Sequence, residues 1–376
     1  MTGLAGLGAA PLDYAGLVAA TRLAGGRGMR PHPGQSIAAI ARVLSEYPGD
    51  LAVLAFDGVG WEIAETVFRP DLLIPLTSVF PSTSISAWLT ALTGRPVDEH
   101  RVPGVSFRAA GKQASYDCFA AEGRPPTGRE PPRPVFGELA RRGVRCSVNL
   151  GELATWPAYW RDLLSAGARV LPAAADWDRL RDDPRGMADA AIAELNRAAA
   201  AGPGLIWSWI NADDHVHAHG YTPELLQALR RLGEFAGQLA GRGRTVLAFA
   251  DHGLVPSSCP AGLRDGWAAV TGPDLCVLPP GGAGRVRWCY PRPGRAGEVA
   301  ARLSALLGDS ALVVTPQWLA GAGLLAVDES LAWALGDVVC IALDARFPVP
   351  DPGAAFEHGS ITPGEMVVPL AVWRAR

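Results

Sequence analysis

Leu51-Ala-Val-Leu-Ala-Phe-Asp57-Gly-Val-Gly60 is a continuous apolar run closed by an aspartate and a glycine. An apolar run of strand length with no polar alternation fits a strand buried on both faces, which is the interior of a parallel sheet. Residues 60–68 then read as a helix starting just past the strand end, and 36–47 read as a helix before it. The pattern recurs along the chain. Residues 144–150, 205–210 and 245–250 are strand-like, and the helical stretches 187–202 and 224–243 separate the last three. Strands alternating with helices of this length predict parallel βαβ units in a layered α/β sandwich. Ligands of such sheets bind beyond the carboxyl ends of the strands.

From 259 to 354 the texture changes. Proline and glycine rise, and shorter elements follow: strands near 275–279, 285–292, 311–316 and 337–343, and a helix at 297–307. This stretch reads as a small α/β cap inserted into a core of residues 1–258 and 355–376. Residues 369–375 are expected to return to the main sheet.

The 376 residues, 49% of them hydrophobic, suffice for a large core. A net charge of −3 has no polyanion-binding signature, so no nucleic acid polymer is expected as partner. Six scattered cysteines without a CxxC pair predict reduced thiols and no thiolate metal site. The opening MTGLAGLGAAPLDYAGL lacks a basic region ahead of a clean apolar one, and no uncharged run reaches bilayer length. The expectation is a cytoplasmic protein without membrane attachment.

Chemistry gathers at the strand ends. Only seven histidines occur, and five of them are His215, His217, His219, His252 and His358. Asp57 closes one apolar run, Asp251 and His252 close another, and DDHVHAHG (213–220) follows a third. Any one of these histidines alone reads as a polar loop residue. Together with the aspartates they read as an oxygen and nitrogen ligand set for two borderline divalent ions, zinc first and manganese as the alternative. Asp213 and His217 share a face if the segment turns helically; Asp214, His215 and His219 are the rival choices. Ser82, Thr83 and Ser84 precede an apolar helix at 85–93, where hydroxyls alone would read as caps. Trp61, Trp88 and Trp209 read as core residues in preference to stacking platforms.

As a set, FDGVG, SVFPSTSISAWLTALTGRPVDEH, DDHVHAHG, ADHGL and EHGSITPGEMVVPL resemble the bacterial type I phosphodiesterase/nucleotide pyrophosphatase family of the alkaline phosphatase superfamily. The resemblance spans residues 51–376. It implies an alkaline-phosphatase-like three-layer αβα sandwich with a mostly parallel sheet and a small inserted α/β cap. It also implies a hydrolase acting on a small-molecule phosphodiester or pyrophosphate through a phosphoseryl intermediate on Ser84. Asp57, Ser84, Asp251 and His252 would hold one ion, and Asp213, His217 and His358 the other. Thr83 is the rival nucleophile and a candidate substrate contact. Where the family more often has His-Gly, this chain has His100-Arg101, so Arg101 becomes a candidate phosphate contact. Val105 stands where the eukaryote-like members place an asparagine that helps hold phosphate, which leaves a phosphomonoesterase or phosphonate hydrolase as the alternative.

Sulfatase chemistry is excluded, because Ser84 is followed by Ile85-Ser86-Ala87-Trp88 and lacks the x-Pro-x-Arg that formylglycine formation needs. The stretch 94–205 is too ordinary for the large insertion of a phosphoglycerate mutase. An intact ligand set argues against a relative that only binds.

Overall fold

The structure, a computed structural model, describes residues 10–47 and 49–376. Residues 1–9, where most of the expected non-secretory start falls, lie outside the described residues. The chain forms a three-layer αβα sandwich around a seven-stranded sheet. In spatial order the strands are Leu72–Thr77, Val367–Trp373, Thr245–Ala250, Leu51–Asp57, Leu205–Asn211, Cys146–Asn149 and Arg169–Val170. All are parallel except Val367–Trp373, which runs antiparallel to both its neighbours.

The run Leu51–Asp57 is the strand its apolar continuity predicted, buried along its whole length. Its register decides the site. Leu51 pairs with Leu205 on one side and Thr245 on the other, so Asp57 lies opposite Asn211 and Phe56 opposite Ala250. Three strand ends therefore finish level, and the residues that follow them converge.

Helices Trp61–Val67, Pro184–Ala200 and Pro223–Gly241 pack together on one face, and Ala39–Glu46, Ser84–Thr93, Val135–Arg141 and Ala158–Leu164 on the other. The long helices Pro184–Ala200 and Pro223–Gly241 carry Pro in their first turn and a capping side chain, Asp183 and Thr222.

A second, six-stranded sheet has the order Ala311–Val314, Val338–Ala342, Val286–Pro291, Cys276–Ala283, Ser106–Arg108 and Ser115–Asp117. Four of these strands fall in 259–354; one face packs a separate core that includes Trp267, Val299, Leu303, Cys340 and Phe347, and the other, with Val286, Trp288, Tyr290 and Ile341, joins the main core. The other two lie outside that stretch. Three residues each and largely polar, they offer no apolar periodicity to read. Val255–Pro256 pairs with Phe356–Glu357, which brings the two ends of the 259–354 stretch together. Among the described residues no helix is long and apolar enough to cross a membrane.

Candidate active site

Asp57 is the last residue of its strand, and Gly58 turns the chain with φ +80°. A Cβ at Gly58 would sit 2.8 Å from Leu254 Cδ1 and 2.9 Å from Asp213 Cα, so only glycine lets the neighbouring strand ends close in. Asp251 follows the adjacent strand, and its Oδ1 accepts from the backbone N–H of Gly58 (3.2 Å) and His252 (2.8 Å). Ser84 opens the helix Ser84–Thr93. Its Oγ lies 3.1 Å from His252 Nε2 and donates to Asp57 Oδ1 at 3.4 Å. One turn on, Trp88 donates Nε1–H to Asp57 Oδ2 at 3.3 Å. Thr83, at the N-cap in extended backbone, makes no side-chain cap bond, so its hydroxyl does not satisfy the first-turn amides.

Asp213 and His217 lie on the helix Asp213–His219, whose first turn follows the third strand end. Four residues apart, they share a face, with His217 Nε2 3.1 Å from Asp213 Oδ2. His358 comes from the returning chain, its Nε2 4.0 Å from Asp213 Oδ1. Gly359 beside it has φ +113°, and a Cβ there would meet Ala283 O at 2.3 Å. His217 Nδ1 faces Phe356 O at 2.8 Å and His358 Nδ1 faces Ser82 O at 2.9 Å. Facing carbonyls, both Nδ1 atoms donate, so Nε2 is the atom each ring can offer to an ion once it gives up any proton there. The His252 and His358 rings stack at 3.7 Å and 11°, joining the two groups.

Without cations the buried acids resist ionisation. Burial, then the Asp213 charge, pushes the Asp57 carboxyl up to about 7. Burial and Asp57 push Asp251 well above the usual carboxylate range, and do the same to Glu152. Burial and the neighbouring His358 hold His252 well below its ordinary value. Asp213 lies below its ordinary value because His217 and the other imidazoles override its burial. Burial works to lower His217, and Asp213 outweighs it and raises it to about 10. Asp213 Oδ1 and Asp251 Oδ2 are buried with no hydrogen-bond partner. Asp57, Asp251 and His252 offer ligand atoms within 4.8 Å of one another, as do Asp213, His217 and His358. Orphaned carboxylate oxygens beside lone-pair imidazoles fit divalent ions, which relieve the repulsion and the desolvation together.

The two trios flank a cleft of about 570 Å³ that Thr83, Ser84, Val105, Glu152, Trp156 and Arg287 help to line. Asp214 also lines the cleft, bonded to Asn211 Nδ2 at 2.9 Å and 3.3 Å from Arg181 Nε. His215 bonds Thr222, and His219 pairs with Asp182. Arg101 departs from the expected phosphate contact. It does not line this cleft; its guanidinium is buried and forms a two-pronged ion pair with Asp328. The carboxylate that claims it lies 227 residues away, which local sequence does not reveal. Trp88 and Trp209 are fully buried core residues, and Trp61 stacks on Tyr14. Glu152 was not foreseen. It follows the parallel strand Cys146–Asn149, so the strand-end rule that found Asp57 applies to it as well.

Carboxylates and imidazoles projecting from level strand ends around a hydroxyl at a helix start place the molecule among the metal-dependent phosphoric ester hydrolases of the alkaline phosphatase superfamily. The chain belongs to the type I phosphodiesterase/nucleotide pyrophosphatase family, whose model matches residues 51–315. Similar solved structures include murine ectonucleotide pyrophosphatase/phosphodiesterase 5 (14% identity, TM-score 0.58, covering 86% of this chain and 87% of that one). Another is phosphonoacetate hydrolase from Sinorhizobium meliloti in complex with phosphonoformate (17% identity, TM-score 0.61, covering 95% and 93%). At these identities the likeness concerns the fold. Comparison with curated protein sequences gives no match.

Proposed function

We propose that this protein hydrolyses a small-molecule phosphodiester or pyrophosphate, with Ser84 as the nucleophile and a phosphoseryl intermediate. The observation that carries this reading is the position of Ser84 Oγ, 3.1 Å from His252 Nε2 and 3.4 Å from Asp57 Oδ1, at the start of a buried helix. Asp57, Ser84, Asp251 and His252 would hold one divalent ion and Asp213, His217 and His358 a second, zinc in preference to manganese. Such ions supply positive charge to the phosphoryl oxygens and lower the pKa of bound hydroxyls and water.

The residues do the rest. Ser84 lines the cleft, and its Oγ can pass its proton to Asp57 Oδ1 beside it. Attack on phosphorus forms the Oγ–P bond as the leaving alcohol or phosphate departs. Water then cleaves the Oγ–P bond and restores the hydroxyl. First-turn amides of the helix Ser84–Thr93 can donate to the phosphoryl oxygens. Asp57, Asp117, Glu152, Asp213, Asp214 and Glu357 outnumber Arg181 and Arg287 on the cleft wall, so phosphate binding draws on the ions.

The 259–354 stretch acts in this reading as a cap that sets specificity, since Pro280–Gly284 and Arg287 line the cleft. Val105 supports a second reading, a phosphomonoesterase or phosphonate hydrolase. It lines the cleft with an apolar side chain where the nucleotide-cleaving relatives have an amide. The six cysteines are unpaired, which fits a reducing, cytoplasmic setting.

The test is turnover of bis-p-nitrophenyl phosphate and p-nitrophenyl phosphate by zinc- or manganese-loaded protein, with and without chelator. Faster, chelator-sensitive cleavage of the diester is expected. Faster monoester cleavage would favour a phosphomonoesterase, and turnover of neither would overturn both ester-cleaving readings.

A further inference from the structure

The helix that presents Asp213 and His217 to the cleft carries two more histidines that the reaction does not use. His215 and His219 are four residues apart, so they share a different face of the same helix. Their rings lie 4.9 Å apart, tilted by 53°. Asp182, from the segment before the helix Pro184–Ala200, places a carboxylate oxygen 3.1 Å from His219 Nε2. Ligand atoms of Asp182, His215 and His219 all lie within 4.8 Å of one another.

His215 Nε2 is bonded to Thr222 Oγ1 at 3.1 Å. That leaves Nδ1, which is buried and has no hydrogen-bond partner, in a side chain only 8% exposed. A plain surface ion pair between His219 and Asp182, half and three-quarters exposed, accounts for neither the burial of His215 nor its orphaned nitrogen. Arg181, the nearest cation in sequence, is paired with Asp178 and Asp214.

We propose that Asp182, His215 and His219 form a third metal site, for a borderline divalent ion such as zinc, separate from the catalytic pair. Two imidazoles at helical i,i+4 spacing and one carboxylate supply three of four tetrahedral positions, and water supplies the fourth. An ion there ties the Trp177–Asp183 segment to the helix that carries Asp213 and His217. It therefore steadies the catalytic ligands from behind.

The test is a count of bound zinc by elemental analysis after zinc loading and gel filtration of the full chain. It needs no turnover, so its outcome is independent of the proposed reaction. His219→Ala and Asp182→Asn change exposed side chains and leave the core intact. Each is expected to hold one zinc fewer than wild type, and His219→Ala in an Asp213→Ala background one fewer than Asp213→Ala alone. Equal counts for wild type and the two single variants would overturn the proposal. So would a double variant that holds as much zinc as Asp213→Ala, because both residues would then serve one ion.

Discussion

Ser84 Oγ is the hydroxyl that Asp57 and His252 share, and Thr83 beside it, also on the cleft wall, is not bonded to either. Ser84→Ala is therefore expected to lower diester turnover by about three orders of magnitude or more while zinc content is preserved. Thr83→Ala should stay within about tenfold of wild type, and the reverse order of effects would move the nucleophile to Thr83. Which aspartate of the DDHVHAHG segment serves was not legible from residue types. Asp213 and Asp214 are chemically identical, and the helical turn after Asn211 aims one at His217 and the other at Asn211. Asp251→Asn should cost one bound zinc, read by elemental analysis, since a neutral amide replaces a carboxylate with an orphaned oxygen.

Helix Ser84–Thr93 carries no charged residue and is buried nearly all round. Trp88 on it reaches both the aromatic cluster of Trp207, Trp209 and Phe249 and the Asp57 carboxylate. Trp88→Phe keeps most of the packing and removes the N–H that steadies Asp57. Zinc affinity is expected to fall by about tenfold, measured by titration against a competing chelator, while the fold is retained. Long elements were legible because their signals are local. Leu51–Asp57 and Thr245–Ala250 are unbroken apolar runs, and Pro223–Gly241 shows a clear apolar stripe. Ser106–Arg108 and Ser115–Asp117 were not, since the first is a strand by virtue of the edge at Cys276–Ala283 and the second by pairing with the first.

In the whole molecule, buried acids and imidazoles set a pH dependence that cations should erase. A carboxyl raised on folding, as Asp57 is, stabilises the metal-free fold fully below its ordinary 3.8, and that contribution is lost as the pH rises through about 7. His217, also raised, contributes below its ordinary 6.5 and loses that contribution as the pH rises through about 10. His252 and His100 are depressed and act oppositely, but only below 6.5, where the unfolded chain protonates them. From about pH 7 to about pH 9 the Tm of chelated protein should therefore fall, and saturating zinc should flatten the curve. A flat or rising Tm in chelator would contradict this account. The order of residues along the chain was enough to place aspartates and histidines at the ends of buried strands, because apolar run length and residue identity are local properties. Which of them meet was decided in three dimensions. Parallel register brings Asp57 level with Asn211 and sets Asp251 beside Gly58. The returning chain delivers His358 against His252, and a distant carboxylate takes Arg101. Those pairings depend on strand register and long-range burial, which neighbours in sequence do not encode.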